Sequence, residues 1–107
     1  MIVYEVRVLV DDEIRVAYRT WLDAHIAEIL ALPGFTGADL FGENDPSGKT
    51  CLVVRYRLRD QAALDVYLSD HAPRLRAEGI QRFGTRFSAS RRVHEWISGY
   101  HSPNSDR

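Results

Sequence analysis

The order of the apolar periodicities constrains this chain more than any motif in it. From Ile2 to Val10 the apolar residues alternate, and from Asp11 to Leu32 they recur every three or four positions. Strand, strand, helix and strand patterns then follow in turn. A period of two marks a strand and a period near 3.6 marks an amphipathic helix. The resulting β-α-β-β-α-β series predicts a two-layer domain with helices on one face of a sheet. The chain holds nothing further to cover the other face.

In the first strand Ile2, Tyr4, Val6, Val8 and Val10 share a wholly apolar face, while Val3, Glu5, Arg7 and Leu9 share a mixed one. Asp11 or Asp12 is placed to cap the first helix, with an acidic first turn through Glu13. Its inward stripe is Ile14, Ala17, Tyr18, Trp21, Leu22, His25, Ile26, Ile29 and Leu30. Pro33-Gly34 stops it. Phe35 to Phe41 reads as a shorter strand, with Ala38 and Leu40 on one face and Phe35, Gly37, Asp39 and Phe41 on the other. The turn formers from Gly42 to Lys49 predict an exposed hairpin loop.

Thr50 to Leu58 is the third strand, with Leu52, Val54, Tyr56 and Leu58 opposed to Cys51, Val53, Arg55 and Arg57. Asp60 caps a second helix whose inward residues are Ala63, Leu64, Tyr67, Leu68, His71 and Leu75. Pro73 forces a kink or a fresh start near Asp70, because proline fits a first helical turn and not a helix interior. Gly84 ends the helical region. Arg86 to Trp96 is the last strand, with Arg91 falling among its apolar set of Phe87, Ala89 and Val93.

Two β-α-β units joined by a hairpin give an α+β ferredoxin-like sandwich of strand order 4-1-3-2, its helices on one side. Residues 1–97 form this one domain, and 98–107 form a polar tail expected to fray. The uncovered face then carries Val3, Leu9, Phe35, Phe41, Val53 and Trp96 among Glu5, Arg7, Asp39, Arg55, Arg57 and Arg92. A wet face is one outcome for such a sheet. So large an apolar patch instead predicts face-to-face homodimerisation, with the charges paired or hydrated.

The formal net charge of −1 argues against a nucleic-acid partner. No apolar run is long enough to cross a bilayer, and no signal-peptide pattern opens the chain. Cys51 is the only cysteine, which rules out an intrachain disulfide and a CxxC metal site. These features predict a cytoplasmic protein, with Cys51 as a small core residue.

Several blocks resemble an uncharacterised bacterial family. They are the opening Met-Ile-Val-Tyr-Glu-Val with its acidic turn, Trp21 ahead of His25-Ile26, and Gly34-Phe35-Thr36. Tyr67-Leu68, the run His71-Ala72-Pro73-Arg74-Leu75-Arg76, Arg82-Phe83-Gly84 and Arg91-Arg92 follow in the family's order. That family is a domain of unknown function in the dimeric α+β barrel superfamily, and the likeness spans residues 1 to about 97. It implies a dimer whose two sheets close into a barrel. Superfamily relatives include cofactor-independent antibiotic-biosynthesis monooxygenases, haem-degrading oxygenases, muconolactone isomerase, sugar mutarotases and ligand-sensing modules. A shared fold transfers none of their chemistry.

The residues themselves offer a few chemical candidates. His25, one turn after Trp21, is placed to act as a general base or haem ligand, or simply to pack. His71 at the Pro73 break is placed either to cap free carbonyls or to face His25. Tyr4, Tyr18, Trp21, Tyr56 and Tyr67 all fall at the helix–sheet interface, where they form an aromatic ligand pocket or a core of large residues. Arg74 and Arg76 are placed to hold a carboxylate or phosphate, or to pair with Glu78 and Asp70. No metal-binding spacing, GxSxG elbow, GxGxxG or P-loop is present, and no motif requires a cofactor. Two readings follow. One is a small-molecule binder or monooxygenase/isomerase-type enzyme with a helix–sheet pocket; the other is a non-catalytic dimeric module with a fully packed core.

Overall fold

Four nine-residue strands form one antiparallel sheet in the order β2-β3-β1-β4: β1 (Ile2–Val10), β2 (Phe35–Glu43), β3 (Thr50–Leu58) and β4 (Phe87–Glu95). This is the ferredoxin-like arrangement that the chain order predicts. A 3-10 turn, Asp12–Ile14, leads into α1 (Arg15–Leu30), and α2 (Gln61–Asp70) and α3 (Ala72–Phe83) connect β3 to β4. The computed structural model describes residues 1–104, so the last part of the expected polar tail, 105–107, lies outside the described residues.

Local chemistry accounts for most boundaries. Gly34 takes φ +87° after Pro33, which lets the chain turn from α1 into β2. Asp60 caps α2 by accepting a hydrogen bond from the Ala63 amide at 2.9 Å. Pro73 sits in the first turn of α3, so the helical region breaks at His71 as expected. The first helix differs from expectation, because neither Asp11 nor Asp12 caps it through its side chain. The Asp11 carboxylate instead lies 3.3 Å from Lys49 and 3.9 Å from Arg86, and Asp12 accepts from the Thr50 hydroxyl at 3.1 Å. Cross-strand partners draw these carboxylates away from the helix end.

The core lies between the helices and the inward sheet face. Tyr4, Val8, Val10, Val54, Tyr56 and Leu58 meet Tyr18, Leu22, Ile29, Leu64, Tyr67, Leu75 and Phe83 there. Phe35 belongs with them, which corrects its expected place on the outer face. A β-bulge between Phe35 and Gly37 shifts the register of β2, and the extra residue turns Phe35 inward. Its ring stands edge-on to Tyr67 at 5.2 Å and to Tyr56 at 5.9 Å.

The outer face carries a lattice of ion pairs. Arg55 binds Glu5 at 2.9 Å and lies 5.0 Å over the ring of Phe41. Arg7 reaches Glu43 at 3.1 Å and Asp45 at 3.0 Å, and Arg57 pairs with Asp39. His94 stands 3.5 Å from Glu5. These long side chains lie along the sheet and bury Cys51 and Val53 beneath them, although no helix covers that face. Phe41 and Trp96 remain about half-exposed, at 43% and 51%. No helix among the described residues is long and apolar enough to cross a membrane.

Candidate functional site

The inward face is not fully packed. A cavity of about 280 Å³ remains between α1, α3 and the strands β1, β3 and β4. Its position follows from side-chain spacing. Tyr4 and Tyr56 are directly paired inward positions of neighbouring strands. On α1, Tyr18, Trp21, Leu22 and His25 fall on one helical stripe. Tyr67 comes from α2, Arg76 and Gly79 come from α3, and Arg91 comes from β4.

Rings form most of the wall. His25 stacks on Trp21 with centroids 4.4 Å apart and planes 18° apart. Tyr18 lies 5.1 Å from Phe83 and 5.3 Å from Phe87, and Tyr4 lies 5.8 Å from Tyr67. Gly79 makes the Trp21 position feasible, since a Cβ there would stand 3.0 Å from the indole.

Polar tips are few. The Tyr4 hydroxyl accepts a hydrogen bond from Arg76 Nη2 at 3.0 Å. Arg76 Nε is buried and has no partner among the described residues. Burial pushes the Tyr18 and Tyr67 phenols up to about 12 and raises Tyr56 as well, so all three stay protonated as donors at neutral pH. The nearby charge of Arg91 opposes each of these shifts. Burial pushes His25 below the usual histidine range, only partly offset by Glu28 and Glu78. A neutral imidazole is therefore available to accept a proton.

Seven of the expected site residues come together here: Tyr4, Tyr18, Trp21, His25, Tyr56, Tyr67 and Arg76. His71 and Arg74 do not. His71 sits at the break between α2 and α3, where its backbone donates to Tyr67 and accepts from Leu75. Arg74 is exposed and lies 3.6 Å from Glu28 and 3.4 Å from Glu78. Of the two candidate arginines the cavity takes Arg76 and not Arg74, and it adds Arg91. Arg76 shares the α3 stripe with Ala72, Leu75, Gly79 and Phe83, a spacing visible in the sequence. Arg91 is the charged residue within the apolar alternation of β4. It reads as a flaw in the strand until the register places it on the helix side, opposite Val6.

Among the described residues no group of three or more His, Cys, Asp or Glu side chains comes together as a metal site.

The chain has the α+β ferredoxin-like fold seen in the antibiotic biosynthesis monooxygenases. A candidate antibiotic biosynthesis monooxygenase from Deinococcus radiodurans superposes with a TM-score of 0.74 at 10% identity, covering 95% of this chain and 98% of that one. SnoaB of Streptomyces nogalater, a cofactor-independent oxygenase solved as its N63A mutant, gives 0.62 at 13% identity over 96% and 97% of the two chains. The Mycobacterium tuberculosis protein Rv0793 gives 0.63 at 26% identity over 94% and 100%. By sequence the chain belongs to the domain of unknown function family DUF4286, whose model matches residues 1–97. No curated protein matches the sequence significantly.

Proposed function

We propose that this is a homodimeric, cytoplasmic small-molecule-binding protein whose helix–sheet cavity takes a flat, electron-rich organic compound. The chemistry that suits it is of the monooxygenase or isomerase type. The observation that carries this reading is the cavity itself: about 280 Å³ walled by aromatic rings, with phenol donors and a neutral imidazole facing it. The volume lies near the lower end of ligand sites, roughly 300–1,000 Å³, and suits a compound of about two rings. His25 accepts a proton from the bound compound, and the conjugate oxyanion is held by the cavity's arginine and phenol donors. The likeness to SnoaB and to the Deinococcus protein supports oxygenase-type chemistry on such a scaffold.

The second copy covers the outer face. Phe41 and Trp96 supply its apolar contacts there, and the lattice around Arg55, Arg57 and Arg7 meets its own symmetry mate. A lone buried thiol, Cys51, suits a reducing compartment. A filled core would favour the non-catalytic module, and the open volume counts against that alternative.

The test is a thermal-shift screen of quinols, aromatic acids and sugar acids on the wild type and on His25→Ala. A ligand of this cavity raises the melting temperature of the wild type as it saturates the native state. The planar aromatic compounds are expected to do so, with a smaller rise for the variant. No shift across the panel would overturn the proposal.

A further inference from the structure

The cavity is cationic without compensation. Arg76 and Arg91 both line it, and no aspartate or glutamate does. Elsewhere Arg7, Arg19, Arg55, Arg57, Arg59, Arg74 and Arg86 lie within ion-pairing distance of a carboxylate, while Arg15, Arg82 and Arg92 lack one but stand exposed to solvent. Among the described residues Arg76 and Arg91 have none. Glu28 and Glu78, whose charges are felt by His25, are both held by Arg74.

Arg76 is the more telling of the two. It gives one Nη to the Tyr4 hydroxyl, a neutral acceptor, and its buried Nε finds nothing. Arg76 is half-buried, and holding its Nε away from water against aromatic walls without an acceptor is unfavourable unless something else brings one. The remaining polar tips point the same way. Tyr18, Tyr56 and Tyr67 stay protonated and add donors, while His25 is the only neutral nitrogen able to accept. The site is rich in donors and poor in acceptors.

We infer that the ligand binds as an anion: a flat aromatic compound of about two rings bearing a carboxylate, its oxygens received by Arg76 and Arg91 and its rings by the Trp21–His25 stack and the tyrosines. This rests on the proposed ligand cavity and specifies what that cavity selects. Arg76 is held by Tyr4 from within the core, and Arg91 stands exposed on the edge strand β4. The two therefore divide the work. Arg76 fixes the depth of the carboxylate, and Arg91 draws it in and closes over it. Charge-assisted hydrogen bonds of this type are about twice as strong as neutral ones, and guanidinium matches carboxylate geometry in a bidentate fashion.

The test is a titration calorimetry series at constant shape and varied charge, on the full chain at neutral pH. The probes are 2-naphthoate, 2-naphthamide and 2-(aminomethyl)naphthalene. The naphthoate is expected to bind about tenfold or more tightly than the amide, with the cation weakest. Arg91→Gln, on an exposed edge position, should narrow the acid–amide gap several-fold by weakening the acid more than the amide. Arg76→Gln should narrow it further, and Arg76→Lys should restore part of it.

Equal binding of acid and amide would overturn the anion assignment and leave the cavity reading standing. Failure of all three probes would remove both. If the glutamine variants weaken acid and amide alike, the arginines only hold the structure and the inference fails.

Discussion

The two faces of the sheet are built from the same strands by opposite rules. Inward, Tyr4, Val8, Val54 and Tyr56 meet three helices and leave a cavity walled by aromatic rings and two arginines. Outward, the alternate residues Glu5, Arg7, Arg55 and Arg57 pair with one another and with Asp39, Glu43 and Asp45. The inward face has two arginines without carboxylates, and the outward face has carboxylates on nearly every arginine. Charge that is neutralised locally serves the fold or an interface. Under the proposed function, the charge left open in the aromatic cavity serves a ligand.

The sharpest contrast is in stability. Leu64 is fully buried, and Leu64→Ala should cost about 3 kcal/mol in chemical denaturation. Phe41→Ala on the outer face, at 43% exposure, should cost the monomer less than about 1 kcal/mol. Its main effect should be on association, measured as a higher dissociation constant in sedimentation equilibrium. Equal stability losses from the two would erase the distinction between faces.

Filling the cavity should separate binding from folding. Ala89 lines the space from edge strand β4 and is only half-buried at the margin of the core, so Ala89→Phe puts its ring into ligand volume. A loss of 2-naphthoate binding of more than about tenfold is expected, with thermal unfolding shifted by only a few degrees. Unchanged binding would move the site elsewhere.

The faces should also respond differently to acid. His25 is held below its ordinary value by burial, so the unfolded chain takes up its proton first. The neutral, folded form keeps full stability above about pH 6.5 and loses it as pH falls from there through the lowered folded value. His25→Gln should flatten that part of the stability profile relative to wild type. Glu5 is held low chiefly by its hydrogen bond from Arg55. Its contribution is present above about pH 4.5 and is lost at lower pH, as the carboxylate protonates. Glu5→Gln should therefore lower stability above that pH and flatten the slope only in the more acidic window. A profile unchanged by either substitution would contradict these assignments.

The smallest effect is expected at the rim of the outer lattice. Arg57 and Asp39 are both well exposed, and Arg57→Ala should change stability by less than about 1 kcal/mol, less still in high salt. A loss several times larger, insensitive to salt, would mean that the lattice stabilises the fold as the core does.

Much of this division is written in the alternation itself. The inward sets of β1 and β3 and the break at Pro73 follow from periodicity and from the chemistry of proline. What escaped involves placement in three dimensions. The bulge beside Phe35 reverses that ring's face, and a strict count of two cannot reveal one inserted residue. Arg91 looks misplaced in a strand until its neighbours are known, and Arg74 and Arg76 look equivalent until the α3 stripe separates them. His71 shares its helical spacing with core residues, yet the break at Pro73 turns it into a junction.

The two tryptophans offer the most direct test, one on each side of the account. Trp21 stands in the cavity wall against His25, and Trp96 continues the β4 pairing by donating its amide to Met1 at 2.9 Å. Their indole N–H resonances can be followed in a two-dimensional proton–nitrogen NMR spectrum during titration with 2-naphthoate and, separately, during serial dilution. The naphthoate should move Trp21 and leave Trp96 in place, while dilution should move Trp96 and leave Trp21. A ligand that shifts only Trp96, or dilution that shifts only Trp21, would contradict the division of labour between the two faces.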